Sequence, residues 1–122
     1  MNFDPMTPIW LQVSIQLKRQ IVTGELPPGA KLPGGRDLAL TYGINPNTAA
    51  RIYQELEREG ICVTRRGLGT FVTESEEMIQ KLKMEMAQQA VRRFLSDLNG
   101  LGLGRKDAIE LIQREETTDD HQ

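Results

Sequence analysis

The feature that most constrains the fold is a pair of short helical patterns separated by only a few residues. The first pattern runs from about Gly35 to Tyr42 and closes at Gly43, and the second starts at Asn45-Pro46. Asn is a favoured helix N-cap, and proline suits the first helical position because the N–H that it lacks has no helical partner there. Two helices joined by a tight glycine turn predict a helix-turn-helix.

The second of these helices is predicted to be amphipathic. Its apolar stripe recurs at helical spacing before Gly60 and consists of Ala49, Ile52, Tyr53 and Leu56. Its opposite side, which we call the reading face, carries Asn47, Thr48, Ala50, Arg51 and Gln54. Asn, Gln and Arg can make paired contacts to base edges in a major groove, and small residues allow close approach. The pattern predicts a DNA-reading helix, and a solvated helix face with a proline-initiated cap is the alternative.

A further helix is predicted upstream, with Thr7 as its N-cap and Pro8 as its first residue. A buried stripe at steps of three and four follows, made of Trp10, Val13, Leu17 and Ile21. Gly24 can supply a left-handed C-terminal cap. The segment after it, Leu26-Pro27-Pro28-Gly29, cannot continue a helix and predicts a rigid connector.

A short hairpin, which we call the wing, is predicted from Ile61 to Thr73. Its turn, Arg66-Gly67-Leu68-Gly69, contains glycines that permit the positive φ of a tight hairpin. Arg65 and Arg66 place cations beside that turn, which suits phosphates or a minor groove, although a solvated turn is the alternative. A dinucleotide site around Gly67 and Gly69 is excluded, because a strand follows and the third glycine of that motif is missing.

The C-terminal part is predicted to form two helices, one from Glu76 to about Asn99 and one from Arg105 to about Glu116, with a glycine-rich break between them. The small N-terminal module has no obvious free surface to cover the apolar stripe of these helices, so we expect a homodimer interface. The residues predicted to form it are Ile79, Leu82, Met86, Ala90, Phe94, Leu98, Ile109 and Ile112, with Ala108 on the same last face.

Length and charge limit the organisation of the chain. Its 122 residues suffice for one compact module with a short extension. We expect a DNA-binding domain at 1–75 and a helical dimerisation region with a polar tail at 76–122. Residues 1–75 hold 8 Lys and Arg against 7 Asp and Glu, whereas residues 76–122 hold 7 against 10. Any binding of phosphates must therefore come from a local face.

Few residues of the chain suit catalysis or metal binding, and no segment suits export of the protein. Cys62 is the only cysteine, which excludes an internal disulfide and a thiolate cluster within one chain. A packed side chain is its simplest role, and a redox sensor is the alternative. His121, the only histidine, lies in the polar tail, where a catalytic base would lack fixed geometry. We expect no enzyme, metal or cofactor and, without an apolar span or signal peptide, a cytoplasmic protein that does not contact a membrane.

Taken together, the motifs resemble the GntR family of transcription regulators, in order over residues 8–73. They are Pro8-Ile9-Trp10-Leu11-Gln12, Gly24-Glu25-Leu26-Pro27-Pro28-Gly29-Ala30-Lys31-Leu32-Pro33, Arg36-Asp37-Leu38-Ala39, Asn47-Thr48, Leu56-Glu57-Arg58-Glu59-Gly60 and Arg65-Arg66-Gly67-Leu68-Gly69-Thr70-Phe71-Val72. The segment Ile44 to Thr48 and the two-helix C-terminal piece resemble the YtrA-type subfamily. Members of that subfamily lack a large effector domain and dimerise through those helices.

The resemblance implies a mostly α fold with a small β-hairpin: a winged helix-turn-helix followed by a short two-helix dimerisation extension. It implies a sequence-specific DNA-binding regulator, most often a repressor, that acts as a homodimer on an inverted-repeat operator, in many cases of a transporter operon. Pro46 stands where many other members carry arginine, so specificity should differ from theirs. The implied DNA-binding positions are Arg36, Asn45, Pro46, Asn47, Thr48, Arg51, Arg65, Arg66, Gly67 and Gly69.

Two departures from the family pattern concern helix starts. Gly34-Gly35 replaces the usual polar cap, which should loosen the second helix, and Gly104 stands where a capping serine is common. The alternative function is a winged-helix protein-interaction module without sequence-specific DNA binding. Two helices cannot enclose a pocket of roughly 300 to 1,000 Å³ within one subunit. A pocket at the dimer interface is the alternative, so the existence of a small-molecule effector stays open.

Overall fold

The computed structural model describes residues 5–115, and its elements follow the predicted order. The mostly helical winged-helix fold is confirmed. The first four residues and the polar tail with His121 lie outside the described residues. The helices are α1 (Ile9–Val22), α2 (Gly35–Tyr42), α3 (Pro46–Arg58), α4 (Glu76–Asn99) and α5 (Arg105–Arg114), and the antiparallel strands are β1 (Cys62–Arg65) and β2 (Gly69–Val72).

The chain forms two compact units, one ending at Lys83 and the other beginning at Met84. The division lies inside α4, eight residues after the boundary that the sequence placed at residue 75. The start of α4 belongs to the first unit because it packs there: Leu82 is buried, and a Cβ on Gly60 would lie 3.4 Å from Cε of Met78. A stretch without glycine and proline indicates where a helix begins, but it does not indicate which core that helix joins.

The core of the first unit is built from the predicted stripes. Helix α3 packs against both α1 and α2, and β1 packs against α3. Each fully buried aliphatic side chain contributes roughly 1.5–3 kcal/mol through removal from water. The buried apolar residues of this unit are Val13, Leu17, Ile21, Leu32, Leu38, Ala39, Ala49, Ile52, Tyr53, Leu56, Ile61, Cys62, Val72 and Leu82.

Helix starts in this unit agree with the predicted caps in one case and differ in another. The side-chain oxygen of Asn45 accepts a hydrogen bond from the N–H of Asn47 at 2.7 Å, which confirms the cap of α3. Helix α1 begins at Ile9, so the prediction that Pro8 is its first residue is wrong. Pro8 has extended backbone angles, φ −56° and ψ 139°, and takes the N-cap position that was predicted for Thr7.

The two helices that begin after glycine lack a side-chain cap at that position. Gly34 precedes α2 in extended conformation and Asp37 lies in the first turn of that helix. At α5, the carboxylate of Asp107 accepts a hydrogen bond from the N–H of Gly104 at 2.8 Å. The start of α5 is therefore held by a residue inside the helix, in place of the serine that is common in the subfamily.

The wing is closed by a hydrogen bond from the N–H of Leu68 to the carbonyl of Arg65 at 2.8 Å. Its pairing register joins Cys62 to Val72 and Arg65 to Gly69. Gly67 and Gly69 have φ of +76° and +124°, which side chains with a Cβ rarely adopt. The predicted turn glycines thus occupy the positions that need them.

In the described part of the second unit, residues 84–115, only Leu98 and Ala108 are buried apolar side chains. Of the predicted interface residues, Leu82 (5% exposed) and Leu98 (8%) are already buried within the single chain. Ile79 and Met86 are half-buried, and exposed surface remains on Ala90, Phe94, Ile109 and Ile112. No helix between residues 5 and 115 combines the length and the apolar character needed to cross a membrane.

Candidate nucleic-acid interface

The reading face lies on the exposed side of α3, opposite the buried stripe of that helix. Asn47, Arg51 and Gln54 are exposed, and Thr48 is half-buried. Asn47 and Arg51 are four residues apart and therefore lie on the same side of the helix. The structure thus brings together the amide and the cation that the sequence predicted for base-edge contacts.

The start of α3 leaves the Asn47 side chain free to bind. Its backbone N–H is already satisfied by Asn45, but within residues 5–115 its side-chain amide has no hydrogen bond. Both the donor and the acceptor of that amide are available to a partner, which is the arrangement that paired recognition of adenine requires. Asn45 therefore caps the helix, and the side chain of Asn47 remains available to a partner.

Arg51 contacts an aromatic ring whose helical spacing predicts only a place in the core. Its guanidinium carbon lies 5.4 Å from the centroid of the Trp10 ring, and Trp10 is half-buried. Such a cation–π contact is worth roughly 0.5–1 kcal/mol at an exposed site. This contact uses none of the guanidinium N–H groups in a hydrogen bond, so Trp10 can orient Arg51 without consuming its donors.

The two wing arginines differ in their partners. A guanidinium nitrogen of Arg65 lies 3.8 Å from a carboxylate oxygen of Glu74, and its Cζ lies 5.4 Å from the centroid of the Phe71 ring. Arg66 is exposed and has no ion pair among the described residues. The charge of Arg65 is partly offset by Glu74, whereas the charge of Arg66 is free for a phosphate.

Ion pairs elsewhere in the first unit engage carboxylates away from Arg36 and Arg66. The carboxylate of Glu59 pairs with Lys18 at 3.1 Å, and that of Glu55 pairs with Arg58 at 3.2 Å. Arg36 is exposed at the start of α2, without an ion pair among the described residues. A unit with almost balanced charge can in this way present local positive groups.

Comparison with known proteins places this arrangement in a family. Residues 10–72 match the model described as bacterial regulatory proteins, gntR family. The chain belongs to the GntR family. The predicted family is confirmed, and this GntR protein is a DNA-binding transcription regulator and not an enzyme.

Three similar proteins cover different parts of the GntR chain. The HTH-type transcriptional repressor YtrA of Bacillus subtilis (strain 168) is 39% identical over 115 residues, which span 92% of this chain and 88% of that relative. The structure of a GntR family transcriptional regulator from Listeria monocytogenes has a TM-score of 0.84 and 35% identity over 93% of this chain and all of its own. The structure of AraR(DBD) in complex with operator ORX1 has a TM-score of 0.56 and 26% identity over 60% of this chain and 93% of its own.

Two buried groups of this GntR protein lie close to the site but do not belong to its chemistry. Burial raises the pKa of Cys62 to about 12, and the carboxylates of Glu57 and Glu59 add to the shift. The thiol therefore stays protonated, which does not suit a redox sensor. Burial also raises the pKa of Tyr53, whose hydroxyl donates a hydrogen bond to the carbonyl of Pro33. Among the described residues, no group of His, Cys, Asp and Glu is arranged to hold a metal ion.

Proposed function

We propose that this GntR protein is a repressor that binds an inverted-repeat operator as a homodimer. The observation that carries the proposal is a pair of groups on the reading face that make no side-chain hydrogen bond within residues 5–115, the Asn47 amide and the Arg51 guanidinium, one helical turn apart on the exposed side of α3. The solved operator complex of AraR supports DNA as the partner, and the name of the B. subtilis YtrA repressor supports repression.

The proposed contacts divide into readers and anchors. Asn47 and Arg51 face base edges from α3. Arg36, which precedes α3 in the chain, and Arg66, which follows it, bind phosphates. Phosphate contacts position a protein on a duplex without selecting a sequence, and base contacts select it. Because Arg65 forms an ion pair with Glu74, we expect Arg66 to contribute more to the affinity for DNA than Arg65 does.

The proposed dimer joins the second units of two copies. Exposed apolar residues recur on α4 at steps of three and four, at Met84, Ala87, Val91 and Phe94, which is the spacing of a two-helix seam. A shallow groove of about 360 Å³ lies beside this row and is lined by Met84, Ala87 and Val91 with Gln88 and Arg92. In a two-fold pair each copy covers the same patch of the other, so a palindromic operator would match the symmetry of the protein.

A DNA titration tests this function. The full chain is titrated with duplexes drawn from its own promoter region, and with scrambled duplexes of the same composition, over a range of salt concentrations. The resemblance to the YtrA-type subfamily makes a neighbouring transporter operon the first region to test. We expect a preferred inverted repeat with half-sites about one helical turn apart and affinity that falls as salt rises. Equal affinity for scrambled duplexes would contradict the proposal and favour a protein-interaction module.

A further inference from the structure

A third extended segment pairs with strand β2 of the wing, and it belongs to the connector between α1 and α2. The N–H of Leu32 donates to the carbonyl of Thr70, and the N–H of Val72 donates to the carbonyl of Ala30, each at 2.8 Å. Between these two hydrogen bonds, Lys31 forms an antiparallel bridge with Phe71. Lys31 is thereby fixed to β2 by backbone pairing, although it lies 35 residues before Arg66 in the chain.

The side chain of Lys31 runs across the hairpin at Gly69. A Cβ built on Gly69 would stand 2.9 Å from Cε of Lys31 and 3.7 Å from its Nζ, and real Cβ atoms essentially never approach another atom under 3.0 Å. Gly69 therefore leaves the space that the lysine stem occupies, in addition to adopting a φ of +124°. The ammonium group is consequently held beside the wing turn.

The charge of Lys31 is not compensated. Lys31 is exposed, and no carboxylate among residues 5–115 forms an ion pair with it. Arg65, on the neighbouring strand, is by contrast paired with Glu74. The free cations of the wing in the described part of the chain are therefore Lys31 and Arg66, of which the sequence pattern indicated only Arg66.

We propose that Lys31 is a phosphate-binding residue of the wing and that it contacts the backbone of duplex DNA. The proposal rests on the proposed function, because it assumes that the wing lies against DNA when α3 reads the operator. An ammonium group is a compact charge that binds phosphate without selecting a base. The contact should therefore add affinity equally to operator and scrambled duplexes, and it should release counterions from the DNA.

The test compares full-length variants whose helical content and thermal unfolding midpoint match those of the wild-type protein. Lys31→Met keeps the length of the stem and removes the charge, Lys31→Arg keeps the charge, and Lys81→Met removes an exposed lysine of α4 as the matched control. We measure the dissociation constant for operator and scrambled duplexes as a function of salt. Loss of one phosphate contact should lower the slope of the logarithm of the dissociation constant against log salt by about 0.9. It should also weaken binding roughly fivefold near 0.15 M salt.

The possible outcomes separate this inference from the function on which it rests. The inference is supported if Lys31→Met lowers the slope on both duplexes while Lys31→Arg and Lys81→Met keep it. Unchanged slope and affinity in Lys31→Met, with wild-type protein still preferring the operator, overturns only the role of Lys31. A loss confined to the operator duplex overturns the assignment to phosphate, since it indicates a base contact. Absence of operator preference in the wild-type protein overturns the proposed function itself.

Discussion

The two compact units treat their apolar residues in opposite ways. The first has an apolar core of its own, although Leu40 and Leu68 stay exposed, and it presents amide and cationic groups on α3 and the wing. The second buries only Leu98 and Ala108 among its described apolar residues and exposes Met84, Val91 and Phe94 on α4. We expect a unit of the first kind to fold alone and to bind a polar partner, and one of the second kind to need an apolar partner. The difference predicts DNA for the first unit and a second copy for the second.

The largest expected effect tests whether the first unit depends on its own core. Leu56 is 0% exposed and Leu40 is 77% exposed, and both belong to that unit. Leu56→Ala should lower the free energy of unfolding by about 2–5 kcal/mol, because it removes buried methyl groups and leaves a cavity. Leu40→Ala should change it by less than about 0.5 kcal/mol. Denaturant titration of both variants measures this contrast, and similar losses would mean that the core is wrongly placed.

The second effect concerns the exposed row of α4. Phe94→Glu should convert the dimer to a monomer, because it places an unpaired charge in the proposed seam. Affinity for a full inverted repeat should then fall roughly a hundredfold or more, since the second half-site is no longer bound within one complex. Gln89→Glu adds the same charge at an exposed position outside the row and serves as the control. Sedimentation of both variants gives the result, and a Phe94→Glu protein that stays dimeric speaks against this seam.

A smaller effect separates readers from anchors in the first unit. Asn47→Ala should weaken operator binding by about 1–3 kcal/mol and relax the preference at particular base pairs. Arg66→Ala should weaken operator and scrambled duplexes alike, and Arg65→Ala should do so to a smaller extent because Glu74 already shares that charge. Binding to a panel of single-base operator variants measures the pattern. A uniform loss in Asn47→Ala would remove it from the readers.

The smallest effect is the coupling between Trp10 and Arg51. A double-mutant cycle with Trp10→Leu and Arg51→Ala should give an interaction energy of about 0.5–1 kcal/mol in operator binding, because the ring orients the guanidinium. Trp10→Phe should recover part of it, since it keeps an aromatic face. If the loss caused by Trp10→Leu is equally large without Arg51, Trp10 acts through the stability of α1 and not through the reading face.

The elements that could be predicted from sequence are those set by local signals. The bounds of α2 and the cap of α3 follow from glycine, asparagine and proline at their ends, and the structure has them as predicted. The start of α1 was misplaced by a single residue, because proline is acceptable both before and at the first helical position. Caps and turns involve neighbours in the chain, so their chemistry is visible in the sequence.

The features that could not be predicted join residues from different segments of the fold. The pairing of Lys31 with β2 produces no alternation of apolar and polar residues in the sequence, because a single bridge is too short for such a pattern. The Trp10–Arg51 and Arg65–Glu74 contacts depend on how elements pack and not on spacing. Helical periodicity placed Leu82 and Leu98 on an apolar stripe correctly, but it cannot tell burial within a chain from burial against a partner.

The most direct test of this division of roles is the base preference of Phe94→Glu on a duplex that carries one half-site. If DNA is recognised by the first unit and the second unit only joins two copies, this variant should be monomeric and bind a half-site with the same preference at each base pair as the wild-type protein. Asn47→Ala should show the reverse, a dimer with altered preference. A Phe94→Glu protein that loses base preference on the half-site would contradict the account, because recognition would then depend on the second unit.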